Sequence, residues 1–131
     1  MNHRGTILVV EDDLDIREVM RMVLEASGYQ ILEAGDGAEA LVVMRAHRPC
    51  VILLDLMMPG MDGFQFRESQ LQDPAIASIP VVIVSGGGTV PEKASELGAA
   101  GYLVKPTDVH RLLALMGDLC RTNDDACERS R

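Results

Sequence analysis

Short apolar runs alternate with longer amphipathic segments along this chain. Five runs rich in Val, Ile and Leu, the second of them weak, occupy residues 6–10, 30–33, 51–54, 81–84 and 101–104. Each is followed by a segment in which apolar residues recur every three or four positions, as they do on one face of a helix. This alternation predicts an α/β domain in which helices cover both faces of a parallel sheet. Of the common doubly wound strand orders, five strands fit 2-1-3-4-5.

The spacing also predicts the buried sides of the helices and the starts of some of them. Asp36, Thr89 and Thr107 are expected at helix N-termini, where a side-chain oxygen can accept hydrogen bonds from free backbone amides. The apolar helix positions expected to be buried are Ile16, Val19, Met20, Val23, Leu24, Leu41, Met44, Phe64, Leu71, Val109, Leu112, Leu113 and Met116. After the last helix the apolar pattern ends, so we expect a domain over residues 1–121 and a polar C-terminal tail over 122–131.

Polar side chains stand at the carboxyl ends of four of these strands. Glu11 and Asp12 follow the first run, Asp55 the third, Ser85 the fourth and Lys105 the fifth. In the expected strand order these ends are neighbours, so the five side chains should meet in one crevice, where open α/β sheets bind ligands. Each residue alone has an ordinary explanation, such as a helix N-terminus that favours acids or an Asx turn. The prediction depends on all five coinciding.

The expected crevice suits a divalent cation and a phosphoryl group. Neighbouring carboxylates need a cation to stay ionised together, and ligands that are all oxygen favour a hard ion, above all Mg²⁺. Lys105 and Ser85 offer a positive charge and a hydroxyl to phosphoryl oxygens. Asp55 is the best candidate nucleophile, because it ends the central strand.

Composition narrows the class of protein. The chain has 131 residues, 47% of them hydrophobic, and a formal net charge of −8. These values fit one domain with a real core and disfavour nucleic acid or an anionic membrane as the main partner. Neither a membrane span nor the apolar region of a signal peptide is present in the sequence. The cysteines Cys50, Cys120 and Cys127 show no metal-ligand spacing and no disulfide framework. We therefore expect a reduced, cytoplasmic protein.

Four motifs share their pattern with one known family. They are Ile-Leu-Val-Val-Glu11-Asp12-Asp13, Leu-Leu-Asp55-Leu-Met-Met-Pro59-Gly60-Met-Asp-Gly63, Val-Ile-Val-Ser85 and Gly101-Tyr102-Leu-Val-Lys105-Pro106. On these motifs the chain, from Thr6 to about Arg121, resembles the receiver domain of bacterial two-component response regulators. Within that family it is most similar in kind to the single-domain chemotaxis regulators. The resemblance implies a flavodoxin-like (βα)5 fold.

The resemblance also implies roles for the residues of the crevice. Asp55 matches the phosphoacceptor, and Lys105 matches the lysine that assists it. Asp12 matches a direct Mg²⁺ ligand, and Glu11 matches an acid that acts through water. The backbone carbonyl of Met57 falls at a further metal-ligand position.

A conformational switch is implied by the same resemblance. Ser85 matches the switch hydroxyl, which moves inward on phosphorylation, and Tyr102 matches the aromatic residue that follows it. The surface formed by the fourth helix, the fifth strand and the fifth helix then binds a target protein. The Lys105–Pro106 peptide bond is expected to be cis.

The expected function is that of a signalling phosphoacceptor rather than an enzyme with its own substrate. A histidine kinase or histidine phosphotransfer protein would supply the phosphoryl group, and the chain would assist both its own phosphorylation and its dephosphorylation. No direct nucleic-acid or membrane partner is expected. The start at Met1 and the polar tail favour a single-domain regulator over a receiver module excised from a hybrid kinase or a transcription regulator.

Other classes of protein use similar residues or a similar fold. A phosphohydrolase of the haloacid dehalogenase type also has an Asp nucleophile and Mg²⁺, but it needs a second acid where this chain has Met57. A flavodoxin-type FMN carrier needs a loop rich in Ser, Thr or Gly after the first strand, where this chain has acids. A receiver that serves only as a scaffold would not need all five residues of the crevice.

Overall fold

A computed structural model of the chain describes residues 5–56, 63–86 and 89–129, without the side chains of 121–129. Strands and helices alternate along the whole described chain. The strands are β1 (Thr6–Val10), β2 (Gln30–Ala34), β3 (Val51–Asp55), β4 (Val81–Ser85) and β5 (Gly101–Val104). The helices are α1 (Leu14–Ala26), α2 (Gly37–His47), α3 (Gly63–Leu71), α4 (Val90–Leu97) and α5 (Val109–Arg129).

All five strands lie in one parallel sheet of order β2-β1-β3-β4-β5, which confirms the predicted order. The register pairs Val10 with Leu54 and Asp55 with Val84. The carboxyl ends of β1, β3, β4 and β5 therefore lie side by side at one edge of the sheet.

Alternate residues of the strands face two separate aliphatic layers. On β3, Ile52 and Leu54 pack with α2, α3 and α4, whereas Val51 and Leu53 pack with α1 and α5. Every residue of β3 is buried, as expected for a central strand covered on both faces. None of the helices in the described residues is long and apolar enough to cross a membrane.

The predicted buried face of α1 is only partly right. Leu24 is fully buried and Met20 partly so, but Ile16 and Val19 are exposed by 38% and 60%. The helix carries more apolar side chains than the side that meets the sheet can cover. The excess forms an apolar surface at its N-terminal half.

The predicted buried face of α3 is wrong. Phe64 and Leu71 are exposed by about half, whereas Phe66 and Gln70 are buried. Gln70 can be buried because its amide group donates hydrogen bonds to two carbonyl oxygens of the loop that follows α3. Hydrophobic spacing cannot reveal a buried position that holds a polar residue.

The N-cap residues predicted from the sequence are only partly confirmed. Asp36 accepts a 2.8 Å hydrogen bond from the amide of Glu39, as predicted for α2. Thr89 stands before α4 but makes no side-chain bond to it. At α5 the cap is Asp108 and not Thr107, since the Asp108 carboxylate accepts a 2.9 Å bond from the amide two residues ahead. An ionised oxygen at a helix N-terminus is favoured over a neutral hydroxyl.

The last helix, α5, is longer than the apolar pattern predicts. Its backbone stays helical as far as Arg129, beyond the point where the apolar pattern ends, because a helix once started extends at little cost. The division into a domain over 1–121 and a tail over 122–131 remains a prediction.

Cys50 and Cys120 form a disulfide with Cα atoms 5.2 Å apart, so the expectation of no disulfide was wrong. The fold brings together two cysteines 70 residues apart, which their spacing in the sequence could not show.

Candidate phosphoryl-transfer site

Three acids meet at the carboxyl edge of the sheet. Glu11 follows Val10, whose partner on β3 is Leu54, so Glu11 lies beside Asp55. Asp55 and Glu11 are buried, with 4% and 3% exposed, while Asp12 is open to solvent. Carboxylate oxygens of Glu11, Asp12 and Asp55 all lie within 4.8 Å of one another. The predicted convergence of these three acids is confirmed.

Lys105 brings a positive charge to the two buried acids. Its Nζ lies 2.9 Å from Oδ2 of Asp55 and 3.4 Å from Oε1 of Glu11. Its backbone amide donates a 2.9 Å bond to the carbonyl oxygen of Ser85, which fixes the end of β5 against β4. The Lys105–Pro106 bond is cis, which confirms the prediction.

Burial and charge shift the pKa of both Glu11 and Lys105. Burial, a hydrogen bond with Asp55 and repulsion from that residue raise the pKa of Glu11 to about 7, against the opposing effects of the Asp13 amide and of Lys105. For Lys105 burial alone would lower the pKa, but bonds to Asp55 and attraction to both acids outweigh it and raise the pKa. One lysine therefore does not fully offset the acids. The cluster has the ligand chemistry of a site for a hard divalent cation.

Arg17 supports this site and was missed by the sequence analysis. Its Nη1 donates a 3.0 Å bond to the backbone carbonyl of Glu11, and its Nε donates a 3.0 Å bond to the carboxylate of Glu33 on β2. The guanidinium thus ties the turn after β1 to the neighbouring strand. An arginine on an amphipathic helix is ordinary in a sequence, and both partners become visible only in the fold.

Ser85 and Tyr102 lie on one face of the sheet. Tyr102 pairs with Ile83, two residues before Ser85, so all three side chains point toward the layer that holds α4. Ser85 is buried, and its hydroxyl donates a long 3.5 Å bond to the carbonyl oxygen of Gly86. The guanidinium of Arg111 lies 5.8 Å from the centre of the Tyr102 ring. Met57, the remaining site residue of the prediction, lies outside the described residues.

An apolar groove adjoins the site on the side of α1. It encloses about 390 Å³, and its wall includes the exposed Ile16 and Val19 of α1 and, across from them, Lys105 and Pro106. Lys105 therefore borders both the groove and the acids. The groove gives an apolar surface beside Lys105, whose ammonium contacts the Asp55 carboxylate.

Comparisons with known proteins agree with this geometry. A family model described as the response regulator receiver domain matches residues 7–116. The DNA-binding dual master transcriptional regulator RpaA of Synechocystis sp. is 35% identical over 120 residues, which cover 90% of this chain and 50% of that protein. The chain spans about half the length of the curated relatives it matches.

Solved structures show the same likeness. The chemotaxis response regulator CheY4 of Vibrio cholerae is 32% identical with a TM-score of 0.77, covering 88% of this chain and 98% of that one. The signal receiver domain of a signal transduction histidine kinase from Syntrophus aciditrophicus is 29% identical with a TM-score of 0.80, covering 90% of this chain and 91% of that one. Because the family model matches most of its length, the chain belongs to the response regulator receiver domain family.

Proposed function

We propose that this chain is a signalling phosphoacceptor in which Asp55 takes a phosphoryl group from a phosphohistidine. The observation that supports it best is the buried carboxylate of Asp55 with the ammonium of Lys105 2.9 Å away. A carboxylate oxygen forms a bond to phosphorus while the bond between phosphorus and the donor imidazole breaks, and the electron pair stays on the imidazole nitrogen. Water later hydrolyses the acyl phosphate and restores Asp55. The chain assists both steps on itself and has no separate substrate.

The acids around Asp55 fit a Mg²⁺ site. Their ligand atoms are all carboxylate oxygens, and Mg²⁺ prefers oxygen ligands. In the proposal Asp12, Asp55 and the backbone carbonyl of Met57 hold the ion directly, and Glu11 holds it through a water. When bound, Mg²⁺ supplies positive charge that offsets the negative phosphoryl oxygens. The raised pKa of Glu11 supports the need for such a charge, since Lys105 does not meet it alone.

Lys105, Ser85 and Tyr102 complete the proposed chemistry and switch. Lys105 leaves Asp55 to bind a phosphoryl oxygen, and Ser85 donates its hydroxyl to another. The hydroxyl of Ser85 gives up little on turning inward, because its present bond to Gly86 is long. Tyr102 occupies the same face of the sheet and moves with it, and the surface of α4, β5 and α5 then binds a target protein.

A helical surface of the phosphodonor is proposed to pack into the groove beside α1. The groove is continuous with the site, since Lys105 lines it, and two of its apolar side chains, Ile16 and Val19, are exposed. A donor packed into this groove would carry its histidine close to Asp55, because Lys105 borders the groove and contacts the Asp55 carboxylate. The proposed donor is a histidine kinase or histidine phosphotransfer protein, in keeping with the family.

A second candidate keeps this chemistry within a longer protein. The curated relatives are about twice as long as this chain, and one solved neighbour is the receiver domain of a histidine kinase. The chain would then be the receiver module of a transcription regulator or a hybrid kinase. In either case we propose no direct nucleic-acid contact for residues 1–121, in line with the net charge of −8, and a cytoplasmic location.

Acetyl phosphate, a small-molecule phosphodonor, gives a direct test. With Mg²⁺ present, we expect intact mass spectrometry to show one added phosphoryl group on the wild type and none on Asp55→Asn. The substitution removes the nucleophile and keeps the side-chain volume. Asp118→Asn, at an exposed position of α5, is the matched control and should be phosphorylated normally.

Two results would contradict the proposal. Phosphorylation of Asp55→Asn to the wild-type extent would mean that another residue is the acceptor. Steady release of phosphate from simple phosphate esters would favour a phosphohydrolase with an Asp nucleophile instead.

A further inference from the structure

The Cys50–Cys120 disulfide joins the central strand to the last helix. Cys50 stands directly before β3, and Cys120 lies in α5. Their Cα atoms are 5.2 Å apart, within the range that a disulfide spans without moving the backbone. Both side chains are buried in the apolar layer between the sheet, α1 and α5.

The two cysteines have unequal freedom to move. Cys50 is fixed, because its amide donates a 2.8 Å bond to the carbonyl of Thr6 at the start of the sheet. Cys120 belongs to a stripe of buried side chains on α5, in which it follows Leu112 and Met116 at intervals of four residues. The sequence beyond it is polar. Cys120 lies near the middle of α5, which runs from Val109 to Arg129. Helix ends open more readily than packed strands, so the bond fastens the second half of α5 to the sheet at the point where that half begins.

The surroundings also accommodate the reduced form. The Sγ of Cys50 lies 3.1 Å from the carbonyl oxygen of Thr6, close enough for a thiol to donate a weak hydrogen bond. A protonated cysteine otherwise behaves as a small apolar side chain, so it can be buried in this apolar layer without cost from an unpaired charge. Neither oxidation state leaves a buried charge, so the fold can hold both.

We propose that Cys50 and Cys120 are a redox site that reacts with small-molecule disulfides. When the second half of α5 opens as far as Cys120, the Cys120 thiolate attacks the oxidant, forms a mixed disulfide and releases one thiolate of the oxidant. When α5 closes, the Cys50 thiolate attacks the Cys120 sulfur, forms the intramolecular bond and releases the second. The two protein thiols lose two protons and two electrons, and the oxidant becomes two thiols. Excess small thiol reverses the reaction.

The oxidised form holds α5 against the sheet at Cys120, and the reduced form lets the second half of the helix open. Because Cys50 precedes β3 and Asp55 ends it, the redox site lies at the opposite edge of the sheet from the acids. Oxidation is therefore separate from phosphoryl chemistry, and the proposal does not depend on the proposed function.

The whole chain, equilibrated in mixtures of reduced and oxidised glutathione, provides the test. Peptide mapping without reductant should find the Cys50–Cys120 bond in the oxidising mixture and free thiols in the reducing one. Hydrogen exchange followed by mass spectrometry should be about tenfold slower in the oxidised form for peptides from the second half of α5. Peptides from β1 and β4 should exchange equally in both forms.

Single substitutions assign the effect to this pair. Cys127→Ala should keep the bond and the difference in exchange, whereas Cys120→Ala should lose both. Cys50→Ala removes the same bond from the other side and serves if Cys120→Ala does not fold. A bond that maps to Cys127, no bond in the folded chain, or equal exchange of α5 in both forms would each overturn the proposal.

Discussion

Glu11 is the residue at which burial and charge oppose each other most strongly. It is nearly inaccessible and lies beside another buried acid, yet the amide of Asp13 and the ammonium of Lys105 favour its ionised form. Burial dominates, and the pKa rises from 4.5 to about 7. The ionised form of Glu11 is therefore disfavoured near neutral pH in spite of the nearby Lys105 ammonium.

This shift predicts how stability depends on pH without Mg²⁺. Between the unfolded pKa of 4.5 and the folded pKa of about 7, the folded chain binds a proton that the unfolded chain releases. Raising the pH through this window therefore favours unfolding. We expect calorimetry in EDTA to show a Tm that falls by a few degrees from about pH 5 to about pH 8.

Glu11→Gln should remove most of this fall, because the amide does not titrate. Glu92→Gln, at an exposed position of α4, is the control and should keep the wild-type slope. If Glu11→Gln and the wild type lose stability in parallel, the pH dependence comes from another group.

The positions of single site residues were predictable where each one ends a strand. Glu11, Asp55, Ser85 and Lys105 could be placed together from the sequence because the strand order puts those ends side by side. Arg17 could not, since its two partners, a backbone carbonyl and an acid on β2, are set by the fold.

At the scale of elements, polar contacts join α3 and α4 in addition to the apolar cluster that Phe66 shares with α4. Arg67 donates bonds of 2.8 and 2.9 Å to the carbonyls of Leu97 and Gly98 at the end of α4. It also donates a 2.7 Å bond to the amide oxygen of Gln70. Gly98 has a left-handed backbone with φ of 67°, which suits glycine at a helix end. These polar contacts explain why apolar spacing failed for α3 while the existence of both helices was predicted correctly.

Gln70→Leu should destabilise the fold although it adds apolar volume. The substitution removes the 3.0 and 2.9 Å bonds that the Gln70 amide donates to the carbonyls of Ile76 and Ile79. The Ile76 carbonyl keeps a 3.2 Å bond from the amide of Ile79, so the Ile79 carbonyl is the acceptor that is left short of a partner. A buried acceptor without a partner costs about 1–3 kcal/mol, so a loss of about 1–3 kcal/mol is expected.

Urea unfolding followed by circular dichroism measures this loss. Gln72→Leu, one residue past the end of α3 and exposed, makes the same chemical change without buried partners and should be close to neutral. Equal stability of the two variants would show that the Gln70 amide contributes nothing net.

At the scale of the whole molecule, the arrangement of layers followed from the sequence. Five apolar runs separated by helical segments imply a covered parallel sheet, and right-handed crossovers leave few strand orders. What remained hidden depends on tertiary proximity. The disulfide and the exposed part of α1 both result from how the helices pack on the sheet. Neither can be recognised from the spacing of residues along the sequence.

The groove beside α1 yields a prediction that separates docking from chemistry. Val19 is 60% exposed in the groove, and Val19→Lys would place a charge where a donor's apolar side chains are proposed to pack. We expect phosphotransfer from a histidine kinase that phosphorylates the wild type to lose about tenfold or more in kcat/KM, a typical cost for a central interface residue. Phosphorylation by acetyl phosphate should be unchanged, because so small a donor needs no docking surface.

Val42→Lys is the matched control, since Val42 is 63% exposed on α2, on the other side of the sheet. It should leave transfer from both donors at the wild-type rate. Both rates are measured from the gain of one phosphoryl mass on Asp55 over time. If Val19→Lys also slows acetyl phosphate, the substitution has disturbed the site itself. If it slows neither donor, the kinase does not dock on α1 and must approach Asp55 from another side.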